Sequence, residues 1–179
     1  TASAGNNNTR IGVNAGNSIA SGGNYNVTVG DDAGTAITTG DSNTAVGFEA
    51  LKTEDAHGLN TAIGYQALKA MDAGADGYTT AIGYHAGLKI TTGIRNTLNG
   101  AGAGDELLTG TDNVAIGAFA LSTDTDGNKS TAVGRNVLNA QNFTSSTDSY
   151  NTAVGYYAGT AITTGIENVL IGGVAGDAL

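Results

Sequence analysis

Apolar and polar positions along this chain alternate in short bursts that return at a near-constant interval. In Thr61-Ala62-Ile63-Gly64-Tyr65-Gln66-Ala67 the alternation has period two, the pattern of a β-strand whose successive side chains point to opposite faces. Thr61, Ile63, Tyr65 and Ala67 share one face, and its β-branched and aromatic residues mark it as the expected core face. Ala62, Gly64 and a variable residue form the other. Later in many copies comes Ile-Thr-Thr-Gly, at 37–40, 90–93 and 162–165, which predicts a short second strand followed by a turn.

The repeat is explicit. Asn-Thr-Ala-Val/Ile-Gly occurs at 43–47, 60–64 and 151–155, and variants end at Gly12, Gly30, Gly83, Gly100, Gly117, Gly134 and Gly172. The steps from each of these ten glycines to the next are 18, 17, 17, 19, 17, 17, 17, 21 and 17, so the period is 17 with three insertions. Three residues after the glycine stands Ala in nine copies and Val137 in the tenth. Two strands and two turns per repeat make one flat coil. Coils stacked at about 4.8 Å give a rod on the order of 48 Å long. The expected fold is therefore all-β: a parallel β-solenoid, or β-roll, of about ten 17-residue coils forming a single repeat domain over 1–179. The chain begins at Thr1 and stops in mid-pattern, which reads as a piece of a longer fibre protein.

A compensation inside the repeat identifies one interior space. Four residues after the key glycine the chain has Gly or Leu. The Gly copies (Gly16, Gly34, Gly87, Gly104, Gly159) have Ile or Leu three residues later, at Ile19, Ile37, Ile90, Leu107 and Ile162. The Leu copies (Leu51, Leu68, Leu121, Leu138) have Glu54, Met71, Asp124 and Gln141 there. Each coil supplies about one large aliphatic from one of two places, as close packing demands.

Ala45, Ala62, Ala81, Ala115, Ala132 and Ala153 form a column of small residues. Such a strip admits either a close partner chain or a tight inner bend of the same coil. A thin coil gains stability by burying a second face against neighbours, which favours the partner chain.

Composition fits the repeat and removes several functions. Gly is 29 of 179 residues, there is no Pro, Cys or Trp, and 13% of residues are charged. A net charge of −9 with 7 basic residues argues against nucleic acid. No apolar run reaches membrane-spanning length. Without Cys there is neither a disulfide nor a thiolate metal site.

Asn113-Val114-Ala115-Ile116-Gly117-Ala118-Phe119-Ala120 resembles the head repeat of YadA-like trimeric autotransporter adhesins, which carry a Val-Ala-Ile-Gly-x-x-Ala core. Asn60 to Leu68 is similar to repeats of bacteriophage tail-fibre proteins. The resemblance covers all ten copies, although the period of 17 exceeds that of the adhesin head. It implies a homotrimeric, extracellular fibre on a virion tail or bacterial surface that contacts a host receptor or glycan.

Catalytic chemistry is scarce. His57 and His85 lie in different coils, and no Gly-x-Ser-x-Gly elbow accompanies them. Asp31, Asp32 and Glu49 lie near one another in adjacent coils and could pair as glycosidase carboxylates, but a solvated face is the expected reading. Asp124-Thr125-Asp126-Gly127-Asn128 mimics the start of a calcium loop without its closing Glu, and a polar turn is expected. No catalytic residue, cofactor or metal site is assigned. Phe48, Tyr65, Tyr84 and Tyr156 directly follow the repeat glycine and are expected to stack in the core, whereas Phe119 and Tyr157 fall on the outward column. The Leu copies have longer polar connectors, at 52–59, 69–78, 122–129 and 139–150. Receptor or glycan contact is therefore placed on Phe119, Tyr157, Asp124, Asp126 and Phe143. The leading function is a structural and adhesive fibre. The alternatives are an ice-binding solenoid, suggested by the Thr pairs at 38–39, 91–92 and 163–164, and a polysaccharide-cleaving tail-spike.

Overall fold

Residues 5–177 are described by a computed structural model, and they contain no helix. Each repeat places its Thr-Ala-Val/Ile triplet, or the variant that stands in its place, in a three-residue strand: β1 (Thr9–Ile11), β2 (Val27–Val29), β3 (Thr44–Val46), β4 (Thr61–Ile63), β5 (Thr80–Ile82), β6 (Thr97–Asn99) and β7 (Val114–Ile116). The same position of the repeat forms β9 (Thr131–Val133), β11 (Thr152–Val154) and β12 (Val169–Ile171), while β8 (Gly127–Asn128) and β10 (Thr147–Asp148) form a separate parallel pair. The ten triplet strands make one parallel sheet in the order β1-β2-β3-β4-β5-β6-β7-β9-β11-β12. Register repeats without slip, so Thr44 pairs with Thr61, Ala45 with Ala62 and Val46 with Ile63. This is the β-solenoid of about ten coils that the period predicts.

The two sides of the strand are the reverse of the expectation. Ala45, Ala62, Ala81, Ala115, Ala132 and Ala153 are fully buried inside their own coil, while Ile63 and Ile82 are 37% exposed and Tyr65 is 44% exposed. The small-residue column is thus the inner wall of the coil and not a seam for a partner chain. A coil this short encloses so little space that only Ala fits beneath the strand in most copies, and the larger residues are turned outward.

The aliphatic core enters from the two places anticipated. Ile37, Ile90, Leu107, Leu51, Leu68, Leu121 and Leu138 are all fully buried. In three Leu copies the alternate position is polar and equally buried, at Glu54, Asp124 and Gln141.

Asparagine stitches coil to coil on the inner side. Asn26 Oδ1 accepts the Asn43 backbone N–H at 2.9 Å, and Asn43 Oδ1 accepts that of Asn60 at 3.1 Å. The Asn26 amide donates to the Gly40 carbonyl at 2.8 Å. These bonds satisfy backbone groups that the turn leaves without a strand partner. The repeat glycine permits the stacking itself. Gly64 has φ +140°, and a Cβ there would lie 2.2 Å from the Gly83 carbonyl oxygen in the next coil.

The Ile-Thr-Thr-Gly segments are bends rather than strands. Their cross-coil bonds persist singly, as from Thr38 N–H to the Asp55 carbonyl at 2.6 Å, but no continuous ladder forms. The following left-handed residues, such as Ser42 (φ 58°) and Arg95 (φ 58°), turn the chain too soon.

Candidate interaction surface

Strand alternation gives each coil two outward residues, most often Thr and Val or Ile, on either side of an inner residue that is Ala in six of the ten coils. Two further exposed positions border them. One lies two residues before the first residue of the triplet strand and is left-handed in every coil from β2 to β12, as at Tyr25 (φ 59°), Leu59 (φ 64°), Tyr78 (φ 46°) and Tyr150 (φ 49°). The other follows the repeat glycine and carries Phe48, Tyr65, Tyr84 and Tyr156, which are 42%, 44%, 56% and 55% exposed.

Phe48, Tyr65 and Tyr84 stack along the rod with centroids 5.3 and 5.4 Å apart and interplanar angles of 19° and 11°. Their ladder is real, but it stands outside the core. Because the rings cover one another's faces, they present edges to solvent. The His85 ring stacks on Tyr84 at 3.8 Å and its Nε2 pairs with Gln66 Oε1 at 2.9 Å. Burial, with Lys69 nearby, pushes the His85 pKa down.

Charge is distributed unevenly over these four outward positions. In the coils of β3, β4 and β5 they are Ser42, Leu59 and Tyr78, then Thr, then Val or Ile, then Phe48, Tyr65 and Tyr84, with neither a carboxylate nor an amine among them. The next coils carry Arg95, which binds Asp112 at 2.7 and 2.9 Å, and Lys129, which pairs with Asp148.

The residues expected to make contact divide. Phe119 is 45% exposed, and its ring lies over Gly102, where an added Cβ would be 2.7 Å from Phe119 Cδ1. Tyr157 is half-buried, with Tyr156 at 4.4 Å and the Arg135 guanidinium at 5.8 Å from its ring. Asp126 is half-buried and accepts the Thr109 hydroxyl. Asp124 and Phe143 are corrections. Asp124 is fully buried, accepting the Gly127 N–H at 3.1 Å, the Phe143 N–H at 2.9 Å and the Gln141 amide at 2.7 Å. Phe143 is 6% exposed, because the four-residue insertion widens this coil enough to admit its ring. Neither side chain can meet a surface ligand in this arrangement.

Of the three outward carboxylates, Asp31 accepts the Val13 N–H at 3.1 Å, and Asp32 and Glu49 are bound to lysines. Glu49 meets Lys52 at 2.6 Å, Lys69 at 2.7 Å and the Gln66 amide at 2.7 Å, and Lys52 also reaches Asp32 at 3.4 Å. The lysines hold the Glu49 carboxyl down at about 2, far from the range of a general acid. Among the described residues, Glu54, Asp55 and His57 have ligating atoms within 4.8 Å of one another. Both Glu54 oxygens already accept backbone N–H groups, from His57 at 3.2 Å and Ala73 at 3.2 Å, so this cluster is built as a turn cap. Among the described residues there is no cavity, and no helix long and apolar enough to cross a membrane.

The sequence marks the aromatic column at Phe48, Tyr65, Tyr84 and Tyr156 but points it into the core, where the structure exposes it, and it does not single out the column two residues before the strand. A usable signal was present: an outward residue two before each triplet strand that is large or charged in most copies. Comparison with known proteins finds no matching family model, no matching curated protein and no matching solved structure, so fold and surface stand on geometry alone.

Proposed function

We propose that this chain is a structural and adhesive fibre segment, of the tail-fibre or surface-adhesin kind, that spans distance outside the cell and presents a side face to its partners. The observation that carries the reading is the unbroken ten-strand parallel sheet, which repeats one coil in register along a rod in which the described residues enclose no cavity. Rigid repetition of this kind suits reach and display better than turnover of a small substrate. Self-association as a homotrimer belongs to the proposal. Its support is the exposed Val/Ile and aromatic side of the sheet, in place of the alanine column. The decisive measurement is the solution mass of the segment by light scattering, paired with binding of labelled protein to host cells and to a glycan array. A mass three times that of one chain, with saturable cell or glycan binding, supports the reading, and a monomer that binds neither overturns it.

One observation favours a second reading. The outward Thr positions of β3, β4, β5 and β6 are aligned in register as Thr44, Thr61, Thr80 and Thr97, a regular hydroxyl row. An ice-binding surface would use such a row, and thermal hysteresis in dilute solution would identify it.

A further inference from the structure

We infer that Glu54, Asp55 and His57 form a binding site for a divalent transition-metal ion of the zinc type, on the connector that follows Leu51. Such a site depends neither on self-association nor on the receptor of the fibre.

His57 departs from the repeat. Ten residues after the repeat glycine the chain has Gly22, Gly40, Gly74, Gly93, Gly110, Gly127 and Gly165, and the coils of β3 and β9 differ, with His57 and Thr144. An imidazole where seven coils have glycine calls for a reason. The coil holds the His57 backbone: its N–H donates to Glu54 Oε1 at 3.2 Å, and its carbonyl accepts the Asn43 amide at 3.1 Å. The ring as a whole is half-buried, but its Nδ1 is buried and has no hydrogen-bond partner. A buried nitrogen in that state is costly unless something binds it.

Glu54 is unfinished in the same sense. At the equivalent place Asp124 is completed from the next coil, where Gln141 donates its amide at 2.7 Å. In the coil after Glu54 that place is taken by Met71, which has no proton to donate. Glu54 is fully buried, and the two backbone N–H groups it accepts use one lone pair on each oxygen and leave the other. Among the described residues no lysine or arginine pairs with Glu54 or Asp55. Asp72 adds further negative charge nearby. What this cluster lacks is a cation.

The spacing suits one. His57 Nδ1 lies 3.5 Å from Glu54 Oε1, and an Asp55 oxygen completes a set of three atoms within 4.8 Å of one another. Ligands about 2.1 Å from a tetrahedral ion stand about 3.4 Å apart, so the imidazole and the buried carboxylate are already at bonding separation. Asp55 is exposed, and rotation of its side chain brings its oxygen in from solvent. Its backbone is pinned, because its carbonyl accepts the Thr38 N–H at 2.6 Å. One imidazole with two carboxylates suits zinc and its first-row neighbours, whereas calcium and magnesium take oxygen ligands. Three protein ligands leave a fourth position for water or for a donor from another molecule.

The test is calorimetric titration of the chelator-stripped chain with zinc, with the melting temperature read at each metal level. His57→Gly restores the residue that seven coils carry and so keeps the turn, Asp55→Asn keeps the volume and removes the charge, and His85→Ala removes the other histidine. Circular dichroism confirms that each variant keeps the fold. The expected result is one zinc per chain, a melting temperature that rises with zinc, and no displacement by excess calcium. His57→Gly and Asp55→Asn should each bind more than about tenfold more weakly, since even outer partners of a metal site are worth about that much. His85→Ala should bind as the native chain does. A native chain that binds no zinc would overturn the site. So would an affinity that a folded His57→Gly variant retains, that calcium abolishes, or that is lost in His85→Ala.

Discussion

Gly87 and Ile90 occupy one interior space between them: a Cβ added at Gly87 would lie 3.0 Å from Ile90 Cδ1 and 2.8 Å from Leu68 Cδ2 of the preceding coil. Gly87→Leu therefore overfills the coil and is expected to destabilise by about 1–3 kcal/mol. Adding Ile90→Gln recreates the Leu138/Gln141 arrangement and should recover part of that loss. A double-mutant cycle in urea measures the coupling, and strict additivity would contradict a shared space.

Two glycines separate two costs. At Gly64 and Gly74 the backbone is left-handed, with φ +140° and +67°, but only at Gly64 is a Cβ pressed against the next coil. Gly64→Ala should both introduce backbone strain and disrupt coil stacking, with a loss above about 3 kcal/mol, whereas Gly74→Ala should lose about 1–2 kcal/mol. Thermal unfolding of the pair distinguishes them. Equal losses would mean that backbone strain alone decides.

Removal of one rung of the asparagine ladder exposes its worth. Asn43→Ala orphans the Asn60 N–H and the His57 carbonyl and should cost about 1–3 kcal/mol. Asn43→Ser should cost less, because Thr79 already serves this position through a hydroxyl that accepts the Asn96 N–H at 3.3 Å. Hydrogen exchange at Asn60 gives the local readout.

Two carboxylates set opposing pH trends. Burial raises Asp105 from 3.8 to about 6, and its Oδ1 has no partner. Its neutral form suits the fold, so stability rises as pH falls through about 6 and the gain is complete below 3.8. Burial likewise pushes Glu54 up. Glu49 acts in the other sense: its ion pairs favour the fold above 4.5, and that contribution is lost as pH falls toward about 2. Melting temperature should therefore climb between pH 7 and 5 and fall in strong acid. Asp105→Asn should flatten the first limb and leave the second unchanged.

Much of the architecture was legible before any coordinates. The recurrence of Asn-Thr-Ala-Val/Ile-Gly announced the coil, and the exchange of Gly87 with Ile90 for Leu138 with Gln141 announced its interior. The site was legible only in part. Phe119 and Tyr157 do reach the surface, but Asp124 and Phe143 turn inward, because a long connector in a thin solenoid can fold back and cap its own coil. Glu54 does the same, and nothing in its polarity betrayed it.

The sequence by itself determined the period, the parallel stacking and the alternation of two faces, since these depend on spacing along the chain and on backbone freedom at the repeat glycines. Only the tertiary structure decided which face is inside. A period of two labels the sides of a strand without assigning them, and the habit of placing Val, Ile and Tyr in the core fails when the enclosed volume is small. Inside so short a coil the strand has room for little more than alanine, so Ala62 is buried while Ile63 and Tyr65 are left to face solvent or a neighbour.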